Sequence, residues 1–235
     1  MAKHDPIVGR YVYVLYGGEE YRTYYEENGE GIPLVCLHTA GTDGREWRHQ
    51  LCDPDITKNF RVIAFDLPRH GKSIPPGDFY KEEEEYKLTS KFYSEFIVAF
   101  CQALELKKPV IMGSSMGGNV CLPLALNFEN EFSALIAVEA CDHSPGWWID
   151  PLHNPHIHGG EVCATSVFGL MAPQSPDIYR WEPGGITHKV AQASLRAICI
   201  SIVTTTIFAI CVARSPARCR SISLRVSTTL RVPRR

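Results

Sequence analysis

The N-terminal part of the chain alternates polar and apolar residues before it changes to short apolar runs. Residues 10–17 (RYVYVLYG) and 20–27 (EYRTYYEE) alternate on either side of a Gly-Gly pair. This period of two around a glycine turn predicts an antiparallel β-hairpin. Four continuous apolar runs follow, at 32–38, 60–66, 108–114 and 133–140. Runs of this kind are typical of parallel strands that are buried on both faces.

Helical periodicity lies between these runs. Large apolar side chains recur every four residues at Leu88, Phe92, Phe96, Phe100 and Leu104, which predicts an amphipathic helix. A second apolar stretch, MGGNVCLPLALNF, predicts a buried helix with a proline kink. Strands that alternate with helices predict an α/β fold: a mostly parallel sheet with flanking helices, preceded by the hairpin.

Composition is ordinary for a globular domain but uneven along the chain. The net charge of −2 over 235 residues gives no electrostatic reason to expect nucleic acid or an anionic membrane as a partner. The N-terminus lacks the apolar core of a signal peptide. Nine cysteines, an odd number without a CxxC pair, favour buried thiols in a reducing compartment, so we expect a cytoplasmic protein.

The chain changes character near Glu182. All 26 acidic residues precede residue 183, and the tail 183–235 contains a 17-residue uncharged segment, 197–213, followed by seven arginines. Three interpretations stay open: translation of an intron or a shifted frame, a tail anchor in a membrane, or a β-branched strand that pairs with an exposed sheet edge. We therefore divide the chain into a core (1–142), a lid-like segment (143–182) and an atypical tail (183–235).

The lid-like segment is rich in Pro, Gly, His and Trp, and it predicts an excursion over the carboxyl ends of the strands. Its HNPHIH stretch places His153, His156 and His158 close together. No acidic or cysteine cluster accompanies them, so we favour a lid that lines a substrate pocket over a metal site.

Ser115 stands in a G-x-S-x-G motif, GSSMG, between the third apolar run and the apolar helix. This strand–turn–helix setting is that of a nucleophile elbow, in which a sharp turn presents a serine hydroxyl above the sheet. Side chains two residues on either side would collide in such a turn, which explains the glycines.

A second motif, LVCLHTAGTDGREW, follows the first apolar run with His38-Thr39-Ala40-Gly41. A third, FDLPRHGKS, closes the second run. Together the three motifs resemble the α/β-hydrolase fold over about residues 9–140, most closely its enol-lactonase and carbon–carbon bond hydrolase branch. Thr39 departs from the glycine that many members have there.

The resemblance implies a serine hydrolase without metal or organic cofactor. Ser115 is the implied nucleophile, and the backbone N–H groups of Ala40 and Met116 are the implied oxyanion donors. The family also needs an acid and a histidine from later strands, which we do not find in this sequence, so the fold is expected to lack its last strands. The remaining candidates are Asp142 as the acid and His188 as the base.

The sequence thus predicts a hydrolase of a carboxylic ester, a lactone or a carbon–carbon bond in a small apolar substrate, inactive if the acid and base are missing. The alternative is a non-catalytic scaffold of the same fold or a membrane-tethered binding protein. Because the sheet would end at residues 133–140, we also expect self-association through its unpaired edge.

Overall fold

The structure, a computed structural model, describes residues 2–77, 89–141, 151, 154 and 156–179. Its centre is one mixed six-stranded sheet with the order β1-β2-β4-β3-β5-β6. The strands are β1 (Val8–Tyr16), β2 (Glu19–Asn28), β3 (Ile32–Leu37), β4 (Phe60–Phe65), β5 (Val110–Ser114) and β6 (Ala134–Val138). The predicted hairpin and the four predicted buried strands are confirmed.

The sheet joins an antiparallel half to a parallel half. β1 pairs with β2, and β2 pairs with β4, in antiparallel register. From β4 through β3 and β5 to β6 all pairs are parallel. The carboxyl ends of these four strands therefore lie at one edge of the sheet, where loops can bring side chains together.

Six helices and one 3-10 helix accompany the sheet in the described part of the chain. They are the 3-10 helix Gly44–Trp47, α1 (Arg48–Cys52), α2 (Pro54–Thr57), α3 (Ser90–Ala103), α4 (Met116–Asn119), α5 (Cys121–Asn127) and α6 (Gly159–Leu170). The sequence pattern predicted α3 and the region of α4 and α5, whereas the short helices before β4 and α6 were not predicted.

Helix α3 supplies much of the core. Its N-cap residue is Thr89, whose hydroxyl accepts the Phe92 N–H at 3.0 Å. Phe96, Ile97 and Phe100 are fully buried against the sheet, and Phe100 stacks on Phe65 of β4 with ring centroids 4.1 Å apart. Burial of each such side chain contributes about 1.5–3 kcal/mol to stability. Leu88, at the start of the predicted stripe, lies outside the described residues.

The apolar stretch after Ser115 is two helices rather than one kinked helix. α4 ends at Asn119, and α5 begins at Cys121. Pro123 has no N–H to donate to the carbonyl of Asn119, four residues earlier, and this missing bond coincides with the break. The structure thus has two helices with a break between them where one kinked helix was predicted.

The lid and tail predictions fall mainly outside the described residues. Within 143–182 the structure describes α6 and its flanking turns, whereas all of 183–235, including the segment 197–213, lies outside. No helix in the described ranges has both the length and the apolarity that a membrane crossing requires. Cys36, Cys101 and Cys121 are buried as predicted, but Cys52 is exposed because it ends the short surface helix α1.

Candidate active site

Ser115 lies in the sharp turn between β5 and α4. Its backbone has φ 51° and ψ −112°, a left-handed conformation that side chains rarely adopt. Its N–H donates to the carbonyl of Val138, the last residue of β6, at 2.8 Å. The side chain is half-buried. A non-glycine residue is held in this conformation only where its surroundings over-determine it, and such residues cluster at functional sites.

The glycines around Ser115 are required by close backbone approach. A Cβ on Gly113 would collide with the carbonyl of Gly117, and a Cβ on Gly117 would collide with the carbonyl of Leu37 at the end of β3. A Cβ on Gly118 would lie 2.7 Å from the carbonyl of Val138. The turn is therefore packed directly against the ends of β3 and β6.

The loop after β3 begins with His38, which is completely buried. Its Nε2 accepts the Leu67 N–H at 3.1 Å, so its Nδ1 carries the proton and donates to the Thr39 carbonyl at 2.8 Å. Burial lowers the pKa of His38. Both ring nitrogens are occupied by backbone groups, so His38 organises the loop and is not free to act as a base.

The Thr39–Ala40 peptide is fixed by its carbonyl. The oxygen of Thr39 accepts from His38 Nδ1 and from the Thr42 hydroxyl, the latter at 3.0 Å. No cis peptide occurs in the described residues, so the Ala40 N–H points away from that carbonyl. The backbone bonds of the described turns and loops give neither Ala40 N–H nor Met116 N–H a carbonyl acceptor.

Glu46 lies beneath this loop, in the 3-10 helix, and sequence analysis missed it. Its Oε2 accepts the Thr39 N–H at 2.7 Å and the Thr42 hydroxyl at 2.9 Å, and the Ser114 hydroxyl is close enough to lower the pKa of the carboxyl. Burial raises the pKa of Glu46, and these hydrogen bonds oppose the increase. In the sequence Glu46 stands among charged residues, a pattern that predicts an exposed side chain.

His70 is the second buried histidine close to this region. Its ring lies 4.9 Å from that of His38, centroid to centroid, and its Nδ1 bonds the Pro68 carbonyl at 3.1 Å. Burial, together with the adjacent His38, lowers the pKa of His70 to about 3. A histidine this hard to protonate is a poor general base near neutral pH.

The predicted acid, Asp142, and the predicted base, His188, both lie outside the described residues, so their roles stay predictions. The structure does reveal another carboxylate after β6. Glu139 directly follows Val138, is exposed, and has φ 51°. Its charge is close enough to Glu46 to raise the pKa of that residue further. Sequence reasoning passed over Glu139 because it lies within the apolar run.

His156 and His158, the described members of the histidine stretch, precede α6, and His153 lies outside the described residues. His158 is the N-cap residue of α6, and its carbonyl accepts the Glu161 N–H at 3.1 Å. Within the described ranges no group of three or more His, Cys, Asp or Glu side chains is placed to hold a metal ion.

A cavity of about 410 Å³ lies beside β2 and β4. Tyr24, Glu26, Arg45 and Asp66 are among the residues that line it. Ser115 does not, so this cavity is separate from the nucleophile turn.

Comparison with known families gives one match over the core. The family model described as alpha/beta hydrolase fold matches residues 32–158, more than half of the chain. The matched range includes the loop after β3, the turn at Ser115 and the start of the lid-like segment.

Two curated relatives are hydrolases by name. The 2-hydroxymuconate semialdehyde hydrolase of Pseudomonas sp. (strain CF600) is 28% identical over 116 residues, which is 49% of this chain and 38% of the relative. A 2-hydroxy-6-oxononadienedioate/2-hydroxy-6-oxononatrienedioate hydrolase of Paraburkholderia phymatum is 27% identical over 62% of this chain and 49% of the relative. The chain therefore spans about half or less of the length of these relatives.

Solved structures agree on the fold. The enol-lactonase from Burkholderia xenovorans LB400 superposes with a TM-score of 0.67 at 19% identity, covering 82% of this chain and 74% of that chain. A hydrolase from Pseudomonas aeruginosa gives a TM-score of 0.66 at 20% identity, covering 81% of this chain and 71% of that chain.

Proposed function

Because this chain belongs to the alpha/beta hydrolase fold family, we propose that it is a serine hydrolase of a carboxylic ester, a lactone or a carbon–carbon bond. The observation that carries the proposal is the backbone of Ser115, held at φ 51° in a turn between strand and helix. Such a turn exposes the hydroxyl at the carboxyl edge of the sheet, where a substrate carbonyl can approach it.

The chemistry begins with attack of Ser115 Oγ on the carbonyl carbon. The attack places negative charge on the former carbonyl oxygen, and N–H donors that are already fixed stabilise it at little reorganisation cost. In our proposal these donors are Ala40 and Met116. The carbonyl bonds of Thr39 support this assignment, because they fix the trans peptide to which the Ala40 N–H belongs.

A serine hydroxyl needs a base to accept its proton and a carboxylate to orient that base. We assign the base to His188 and the acid to Asp142, with Glu139 as the competing carboxylate at the end of β6. His38 is excluded from the base role because backbone groups occupy both of its ring nitrogens, and His70 because burial lowers its pKa to about 3.

The substrate class comes from the relatives. Their names describe hydrolysis of 2-hydroxymuconate semialdehyde, of 2-hydroxy-6-oxononadienedioate or its triene analogue, and of an enol-lactone. These reactions share a carbonyl that is attacked next to a conjugated carbon skeleton, so we propose a small, largely apolar carbonyl substrate. The lid-like segment 143–182 is proposed to cover it and to exclude water during the reaction.

A fluorophosphonate probe tests the proposal directly. The probe forms a stable bond to an activated serine, so the wild-type chain should be labelled at Ser115, as peptide mass spectrometry would show. Ser115→Ala should not be labelled, and Ser133→Ala, a serine before β6, should be labelled like the wild type. Absence of label in all three proteins would favour the alternative, a non-catalytic scaffold of this fold in which Ser115 is not activated.

Self-association is the proposed partner interaction. The outer edge of β6 has no strand partner among the described residues, and Val138 there is 37% exposed. An unpaired edge next to exposed apolar surface is a template for pairing with a second copy. A single monomer peak in size-exclusion chromatography, unchanged from 1 to about 100 µM protein in a dilution series, would contradict this.

A further inference from the structure

Glu46 lies between the loop after β3 and the end of β5. The proposed reaction depends on the relative position of these two segments. On one side Glu46 accepts from Thr39 N–H and the Thr42 hydroxyl in the loop after β3. On the other side it lies near the hydroxyl of Ser114, the residue directly before the nucleophile turn, and this hydroxyl lowers the pKa of the carboxyl. One half-buried carboxylate thus joins the loop that carries Ala40 to the strand that carries Ser115.

The contacts fix Thr39 from both ends. Its N–H is bound to Glu46, and its carbonyl is bound to His38 and Thr42. With both groups held, the peptide that follows has little freedom to rotate, and the direction of the Ala40 N–H is set. Because the same carboxylate lies near the Ser114 hydroxyl, it also relates the position of this N–H to that of the turn.

Glu46 acts through hydrogen bonds rather than through an ion pair. Among the described residues no Lys or Arg forms a salt bridge with it. A carboxylate that is withdrawn from water without a cation lowers stability unless its oxygens are bonded, and here two donors bond it, the Thr39 N–H and the Thr42 hydroxyl. The fold therefore keeps, beside the turn, a carboxylate whose burial costs free energy.

We propose that Glu46 is a positioning residue that holds the Ala40 N–H and the Ser115 turn in the arrangement that binds the oxyanion. The inference rests on the proposed function, since it concerns the same site, but it assigns a role to a residue that no substrate atom touches.

The test compares three variants of the full chain. Glu46→Ala removes every bond, whereas Glu46→Gln keeps an acceptor for Thr39 and Thr42 and an amide for Ser114. Glu95→Ala is the control, because Glu95 on α3 accepts a 2.7 Å hydrogen bond from Tyr16 remote from the turn. The two readouts are the fluorophosphonate labelling rate at Ser115 and the amide hydrogen exchange of Thr39 and Ala40.

We expect Glu46→Ala to lower the limiting labelling rate about 100-fold, the effect of roughly 1 Å of misplacement. Its concentration for half-maximal labelling should change little, and exchange at Thr39 and Ala40 should accelerate. Glu46→Gln should label close to the wild-type rate, and Glu95→Ala should change neither readout. If Glu46→Ala does not fold, Thr42→Val serves in its place, with a smaller loss in the same direction.

Two results would overturn the role of Glu46. One is a Glu46→Ala protein with wild-type labelling and unchanged exchange, and the other is a Glu46→Gln protein as impaired as Glu46→Ala. A wild-type chain that is never labelled contradicts the proposed function instead, and the exchange comparison then still decides whether Glu46 holds the loop.

Discussion

The amide of Ser115 and the carbonyl of Val138 are joined by a 2.8 Å hydrogen bond. One residue earlier, Ser114 is still paired with Val138 in the β5–β6 ladder. The sheet hydrogen bonding therefore extends up to the residue at which the chain reverses into α4. The strained backbone of Ser115 is held by this bond on one side and by the close-packed glycines on the other.

Replacement of Ser115 by glycine should raise the stability of the protein and abolish its labelling. The left-handed backbone costs a serine of order 1–3 kcal/mol, and glycine adopts it freely. Glycine also has more conformational freedom in the unfolded chain, which offsets part of this benefit. We therefore expect the free energy of unfolding to rise by up to about 1 kcal/mol. Labelling should disappear at the same time. Urea denaturation measures the first effect, with Ser133→Gly as a control that should lose stability.

Gly117→Ala should destabilise the protein strongly. The added methyl group would overlap the carbonyl of Leu37, a backbone atom in the middle of the sheet that has no room to move. Overpacking of this kind costs about 1–3 kcal/mol or more. Gly169→Ala is the matched control, because Gly169 lies in α6 with nothing within 4 Å of its added Cβ. A melting temperature lowered equally in both variants would contradict the steric explanation.

The central fold was predictable because its signals are local. Alternation in the hairpin, uninterrupted apolar runs in the buried strands, and glycines around Ser115 each arise from contacts that every protein of this architecture must make. The predicted strands differ from the observed ones by no more than two residues at either end. Helix α3 followed from its four-residue stripe for the same reason.

The remaining features depend on contacts between distant segments. Glu46 and Glu139 are charged, so the sequence pattern predicts that both are exposed. Only the fold shows that Glu46 accepts hydrogen bonds from the loop after β3. Likewise, only the fold shows that Glu139 follows β6 in a left-handed conformation. Helix α6 was missed because its residues, GGEVCATSVFGL, include three glycines and two β-branched valines, which weaken any helical signal.

His188→Gln tests the proposed base. If His188 takes the proton of Ser115, its loss should lower the labelling rate by about 10⁶-fold, the cost of removing the histidine from another serine triad. His156→Gln is the control, since His156 is an exposed histidine before α6. Equal rates for the two variants would remove His188 from the mechanism and leave the base unassigned. Parallel measurements on Asp142→Asn and Glu139→Gln identify the orienting carboxylate by the same criterion.

His70 makes the core sensitive to acid. Its Nδ1 donates to the Pro68 carbonyl, and its Nε2 is buried without a hydrogen-bond partner in the described part of the chain. A second proton would bury a positive charge beside His38, whose own pKa is also lowered by burial. Asp43 is the nearby charge that favours the protonated ring, but it does not offset burial.

The sign of the pH effect follows from these shifts. The pKa of His70 is about 3 in the folded protein and about 6.5 in the unfolded chain, so between these values only the unfolded chain binds the proton. The free energy of unfolding should thus decrease as pH falls below about 6.5, by up to about 1.4 kcal/mol per pH unit. His70→Asn, which keeps a donor for Pro68 and does not titrate, should flatten this dependence. Urea denaturation at pH 7.5 and at about pH 5 measures it, and parallel pH curves for the two proteins would show that His70 does not cause acid sensitivity.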